Sequence, residues 1–206
     1  MIKGILLLTA SLFLFACEGT QNSSSLSQLT DDSPIAENTF SSAAYPLPQS
    51  LNSLEDKADL IVRAKMSGNI EIGDSTSVEE ETRRTSALSQ LEILEVYKGD
   101  ETVGEDLTVT ELFYMNNNEI EVVEQYVPME TDEDYILFLS NWDGESWRIE
   151  YMGFGKYHLE KEALNTDFQE LSILREARPY AFITEDSEQV ELYQTIRKDV
   201  LDKYTH

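Results

Sequence analysis

The sequence is short of the residues from which most catalytic and metal centres are built. Cys17 is the single cysteine, so no disulfide can form within the chain and no paired-cysteine zinc site exists. Of the two histidines, His206 is the last residue and His158 falls in a predicted strand, where a lone histidine is ordinarily structural. No nucleophile elbow, His-Glu-x-x-His pattern or phosphate-cradling glycine loop occurs. Basic residues are also scarce. Fifteen lysines and arginines stand against forty aspartates and glutamates, giving a formal charge of −25. Without a basic stripe, binding to nucleic acid or to anionic lipid headgroups is not expected. The acidic field repels polyanions and gathers cations over a range set by salt.

The start of the chain has its own organisation. Lys3 supplies a small positive region, residues 5–15 are mainly apolar, and Leu14-Phe15-Ala16 leads into Cys17. A helix needs about 20 apolar residues to cross a hydrocarbon core of about 30 Å. The run here is shorter and stops at Glu18, which fits the hydrophobic region of an export signal. Leu14-Phe15-Ala16-Cys17 resembles the bacterial lipobox, although Phe15 is bulkier than the residue usual at its position. The resemblance implies diacylglycerol transfer to the Cys17 sulfur and cleavage just before it. Acylation removes a lone thiol from an oxidising compartment. Two acyl chains, at about 0.8 kcal/mol per buried CH₂, also meet the requirement for stable anchoring. The expected location is the extracytoplasmic face of a bacterial membrane, with the lipid anchor as the membrane contact.

After the cysteine, residues 18–44 are dominated by Ser, Thr, Asn, Gln and Asp, and ordering such a stretch cannot repay its conformational entropy. Tyr45-Pro46-Leu47-Pro48 then stiffens the approach to the folded part. The expected layout is a signal peptide over 1–16, a flexible tether over 17–49 and a globular domain over 50–206. With 41% hydrophobic residues, ten tyrosines and eight phenylalanines, the domain is long enough and apolar enough for a sizeable core.

Within the domain, residues 50–57 read as a short helix with Ser53 as N-cap. Residues 58–66 read as a strand with Leu60, Val62, Ala64 and Met66 on one face and Arg63 and Lys65 on the other. Residues 73–84 lack apolar periodicity and are expected as a loop. Further strands are expected over 86–97, 106–113, 120–127, 135–139, 146–152 and 156–159. The continuous apolar run Tyr135–Leu139 is the most buried of them, and Asn141-Trp142-Asp143-Gly144 is a hairpin turn. Spacings of three predict a helix over 167–177, and an amphipathic stripe predicts another over 189–204. The fold class is mainly β within α+β: a small OB-like antiparallel β-barrel with C-terminal helices over about 167–206.

Three segments in order, 58–64 (Ala-Asp-Leu-Ile-Val-Arg-Ala), 96–99 (Val-Tyr-Lys-Gly) and 134–139 (Asp-Tyr-Ile-Leu-Phe-Leu), resemble the netrin-like module, which includes the N-terminal domain of the tissue inhibitors of metalloproteinases. The resemblance spans roughly residues 58–159 and implies an OB-type five-stranded barrel. It does not carry over the inhibitors' mechanism. That mechanism places a free N-terminal cysteine on a catalytic zinc, whereas Cys17 is acylated in this reading and separated from the barrel by a tether.

Two acidic clusters, Glu79-Glu80-Glu81 and Asp132-Glu133-Asp134, are weak candidates for a hard cation such as Ca²⁺. Neither has EF-hand spacing, and contiguous acids splay apart. Trp142, Trp147, Tyr151 and Phe154 are expected mainly to pack against the helical tail. No catalytic residue and no cofactor is assigned. The expectation is a non-enzymatic binding or interaction module facing an unidentified envelope or extracellular partner. The alternatives are a carboxylate-based hydrolase of envelope substrates and a Ca²⁺-dependent surface module.

Overall fold

The period-2 alternation of residues 60–66 builds the first wall of the structure. The computed structural model describes residues 29–36, 45–73, 75–78, 81–123, 126–141, 144–165 and 171–205. The signal and lipobox expected over 1–17 lie outside the described residues, as do Glu79, Glu80, Trp142 and His206. In chain order the elements are α1 (Leu51–Lys57), β1 (Leu60–Glu71), β2 (Ser75–Val78), β3 (Glu81–Arg84), β4 (Ala87–Lys98), β5 (Asp106–Glu111), β6 (Phe113–Asn116) and β7 (Glu119–Val122). They continue with β8 (Asp134–Ser140), β9 (Trp147–Ile149), β10 (Lys156–His158), β11 (Ala163–Asn165), α2 (Leu174–Ala177), β12 (Tyr180–Ile183) and α3 (Ser187–Tyr204).

β1 pairs antiparallel with both β4 and β8, β4 with β5, and β8 with β9. A parallel pairing of β5 with β9 closes the circle. The result is a five-stranded OB-like barrel, as expected. Register shifts at four places along the β1–β4 ladder let these long strands coil around the closed sheet. The three segments behind the netrin-like resemblance come together, because β1 lies between the end of β4 and β8: Val62 faces Val96, and Leu60 faces Leu139.

Alternation sorts each strand between two cores. Leu60, Val62, Ala64 and Met66 of β1 fill the barrel with Leu91, Val109, Leu137 and Leu139. Ile61, Ile136 and Phe138 point outward and are covered by α1 and α3 through Leu54, Tyr193, Ile196 and Val200. β8 is therefore buried on both faces, which is why it reads as a continuous apolar run. Phe154, Phe182 and Tyr193 pack together in the outer core, with Phe154 at 4.9 Å from Phe182 and Phe182 stacked at 4.3 Å on Tyr193. Burying such a side chain contributes about 1.5–3 kcal/mol.

Several expectations are corrected. Residues 75–78 and 81–84, expected within a loop, pair as an antiparallel hairpin. Their β-branched Thr and Val types favour extended backbone even without an apolar pattern. The first helix is capped at Ser50 rather than Ser53, and the Ser53 hydroxyl instead accepts from the Gln49 N–H at 3.2 Å. The helix expected over 167–177 is found only at α2, residues 166–170 lying outside the described set. Ile173 is extended because Pro34 pairs with it, with backbone bonds from Ile35 N to Ser172 O and from Leu174 N to Ser33 O.

The same pairing changes the reading of the tether. Residues 29–36 lie against the domain, with Ser33 and Ile35 buried and Ile35 part of the barrel core. Arg175 and Arg178 hold Asp32 and Asp31. Pairing with the domain gives this stretch the burial that its composition alone does not promise.

Candidate functional site

The barrel wall opens where β9 ends. β9 and β10 both pair with the same edge of β8, Ile149 against Leu139 and Lys156 against Leu137, so residues 150–155 oppose Phe138 alone. This excursion is folded tightly. Tyr151 and Met152 both take the left-handed conformation, with φ of 50° and 57°, which costs a non-glycine residue about 1 kcal/mol or more. Met152–Gly155 then form a 3₁₀ turn. A Cβ on Gly155 would collide with the Glu150 carbonyl oxygen and approach the Ile149 Cγ2 to 2.9 Å. Only glycine allows the turn to close onto its own beginning.

Beside this loop lies a cavity of about 660 Å³, bounded also by the ends of α1, β5 and β8, the approach to β4, and Tyr45-Pro46. Its buried floor contains Ser140, Ile149 and Glu150. Ser140 is 3% exposed, and its Oγ has no hydrogen-bond partner among the described residues. Glu150 is 8% exposed, and its carboxylate makes no ion pair or side-chain hydrogen bond among the described residues. Lys57, Arg148, Tyr45 and Pro46 are exposed at the mouth, while Leu112, Tyr151 and Met152 are partly buried along the walls. The Thr110 hydroxyl, also on the wall, is engaged with Ser146 at 2.9 Å. Concave, mainly apolar space with a few convergent polar groups is the usual form of a small-molecule site.

A second polar group sits inside the barrel and is satisfied internally. Glu111, fully buried at the end of β5, accepts from the Ser89 hydroxyl, from Tyr126 OH at 2.7 Å, from the Met129 N–H at 2.7 Å and from Asn69 Nδ2 at 3.3 Å. Lys156 donates to the Val127 carbonyl and lies 4.4 Å over the Tyr126 ring. Burial pushes its amine down to about 7, against the opposing pull of Glu111. Arg178 donates to the carbonyls of Pro128 and Met129 at 3.0 and 3.1 Å. These groups clamp residues 126–130 against the barrel, and their sealed hydrogen bonding marks them as structural.

The acidic candidates disperse. Asp134 pairs with Arg63 at 2.8 Å, Asp132 with Lys65 at 3.6 Å, and Glu133 faces His158 Nε2 at 3.3 Å. Three adjacent carboxylates thus go to three different partners. No group of metal-ligating side chains converges among the described residues. His158 Nδ1 accepts from the N–H groups of Glu160 and Lys161, both at 3.0 Å, so its proton lies on Nε2. Burial lowers its pKa, with Glu133 opposing, and its neutral ring closes a turn. Of the four aromatic residues singled out, Phe154 packs on Tyr193 of α3 and Trp147 lines the barrel core, but Tyr151 faces the cavity.

Sequence reasoning missed Ser140 and Glu150. Ser140 follows the apolar run 135–139 and reads as the polar end of a strand, while Glu150 falls inside the strand expected over 146–152, which ends instead at Ile149. No local pattern reports that the 150–155 excursion brings both to one cavity. No protein-family model matches the chain, and no curated protein matches it significantly.

Proposed function

We propose that this chain is a lipid-anchored extracytoplasmic binding module, held to the membrane through Cys17, whose OB-like domain takes a small ligand in the cavity beside the 150–155 loop. The observation that carries the reading is the unpartnered Ser140 hydroxyl on the floor of that cavity. A buried polar group without a partner costs about 1–3 kcal/mol, and a ligand that bonds to it recovers that cost. Among the described residues Glu150 is the only carboxylate lining the cavity, whereas carboxylate-based hydrolysis requires a pair. For the anchor, the support is the order of Lys3, the apolar run and Leu14-Phe15-Ala16-Cys17. Among the described residues, no helix is long and apolar enough to cross a membrane.

A thermal-shift screen of small charged, zwitterionic and neutral compounds tests the binding function, using the full chain and a cavity-filling Leu112→Trp variant. At least one class is expected to raise the melting temperature of the native chain and not that of the variant. Equal shifts in both, or none in either, reject the cavity as the binding site. For the anchor, Cys17→Ala is expected to leave the membrane fraction or accumulate unprocessed, and continued lipid labelling of that variant rejects it.

A further inference from the structure

The charges around the cavity define the chemistry of what it holds, an inference that rests on its being a binding site. Glu150 and Glu111 make an instructive pair within one domain. Glu111 is fully buried and has four donors. Glu150 is 8% exposed and has none among the described residues. The Glu150 carboxylate keeps some contact with solvent in the cavity, and with so little exposure and no cation or donor of its own among the described residues it gains from a ligand that supplies one.

Its neighbour on the floor, Ser140, is brought alongside by the β8–β9 ladder. Ser140 pairs with Arg148, and the Glu150 N–H bonds the Phe138 carbonyl at 2.9 Å. The floor therefore offers one anionic acceptor and one unused hydroxyl. Tyr45 and Tyr151 add aromatic surface to the walls, a setting that suits an ammonium group. The mouth has the opposite sign. In a chain with forty acidic and fifteen basic residues, Lys57 and Arg148 both lie at this opening. Pro46, Leu112 and Met152 supply apolar surface between the two ends.

We propose that the cavity takes a small zwitterion of the amino-acid or short-peptide class. Its ammonium sits on Glu150 and Ser140, its carboxylate lies toward Lys57 and Arg148, and an apolar body spans the space between. The volume of about 660 Å³ falls within the roughly 300–1,000 Å³ typical of small-molecule sites.

Calorimetric titration of the full chain with the dipeptide leucyl-phenylalanine, its N-acetyl form and its C-terminal amide separates the parts of this proposal. The free dipeptide is expected to bind. Acetylation weakens binding by about tenfold or more, because a charge-assisted hydrogen bond is lost and Glu150 is left unpaired. Amidation has a smaller effect, of about two- to fivefold, since the cations at the mouth are solvent-exposed. Glu150→Gln removes the preference for the free over the acetylated form. Lys57→Gln reduces the preference for the free over the amidated form. Ser140→Ala weakens the free dipeptide while leaving the melting temperature at or above that of the native chain, since it removes a buried hydroxyl without a partner among the described residues.

The proposal is overturned if the acetylated peptide binds as tightly as the free one, or if Glu150→Gln retains the preference. It is also overturned if the free dipeptide does not bind at concentrations up to about 10 mM, weaker than a millimolar complex. If neutral compounds still bind in a Leu112→Trp-sensitive way, the cavity remains a binding site and only the zwitterion is rejected. If nothing binds, both readings fall.

Discussion

Replacing Glu111 by alanine should remove much of the stability of the domain. The carboxylate accepts from Ser89, Asn69, Tyr126 and the Met129 backbone in a fully buried position. Asn69 Nδ2 keeps an alternative acceptor in the Ser89 hydroxyl at 2.8 Å. Among the described residues Tyr126 OH and the Met129 N–H have no other acceptor, and both lie in the dry interior, where each orphaned donor costs about 1–3 kcal/mol. Lys156, over the same Tyr126 ring, also loses the carboxylate that favours its charged form. Together these give a loss of about 3–5 kcal/mol, the usual result of removing one partner from a buried charged network, against about 5–15 kcal/mol for a whole domain. Urea unfolding followed by tryptophan fluorescence measures it as a fall in midpoint with an unchanged slope. Adding Lys156→Met should recover part of the loss, with a coupling of about 1–2 kcal/mol. A loss below about 1 kcal/mol in Glu111→Ala, or full additivity of the two changes, refutes the account of this cluster as an interdependent clamp.

Other outcomes follow from the same residues. The Lys156 amine titrates near 7 in the folded chain and at its ordinary 10.5 when unfolded, so the unfolded chain binds more protons between those values and stability rises with pH, by at most about 1.4 kcal/mol per unit. Lys161, pushed down to about 8 chiefly by burial, acts in the same direction. Tyr126 and Tyr135 are raised by burial and reverse the trend once unfolded tyrosine ionises near 10. Urea midpoints should therefore climb from pH 7 to 9.5 and flatten in Lys156→Met; a native profile that is flat or falling contradicts this. Gly155→Ala should cost about 1–3 kcal/mol through overpacking against the Glu150 carbonyl, and should weaken ligand binding because it displaces Glu150, which lines the cavity; calorimetry and melting temperature read the two effects. Ile35→Ala should cost about 2 kcal/mol and speed proteolysis within residues 29–36. No change in either would mean that this stretch behaves as free tether.

The barrel was legible because its strands obey elementary alternation. β1 keeps small and aliphatic residues on its inner face, and β8, buried on both sides, has no polar positions between Tyr135 and Leu139. The long amphipathic α3 was legible from its stripe of Tyr193, Ile196 and Val200, although its true start is set by Asp186, which accepts from the N–H groups of Glu188 and Gln189 at 2.8 and 3.3 Å. What failed was governed by partners distant in the chain. Ile173 lies inside the segment whose spacing of Phe168, Leu171 and Leu174 predicts a helix, but it pairs with Pro34 and is drawn into extended backbone. The hairpin of β2 and β3 has no apolar face to betray it. The cavity escaped notice for a related reason: Glu150 and Ser140 become neighbours only through the β8–β9 ladder and a loop in left-handed conformation. Asp132, Glu133 and Asp134 each take a different partner, because contiguous side chains point apart.

The central claim is that the cavity beside residues 150–155 binds a ligand, and backbone NMR of the full chain during titration with leucyl-phenylalanine tests it most directly. Saturable shifts confined to the amides of residues 110–112, 140 and 148–152, and requiring about tenfold more peptide in Glu150→Gln, are the predicted result. Saturable shifts centred elsewhere on the barrel, or a spectrum unchanged both by millimolar peptide and by the compounds of the thermal-shift screen, would contradict it.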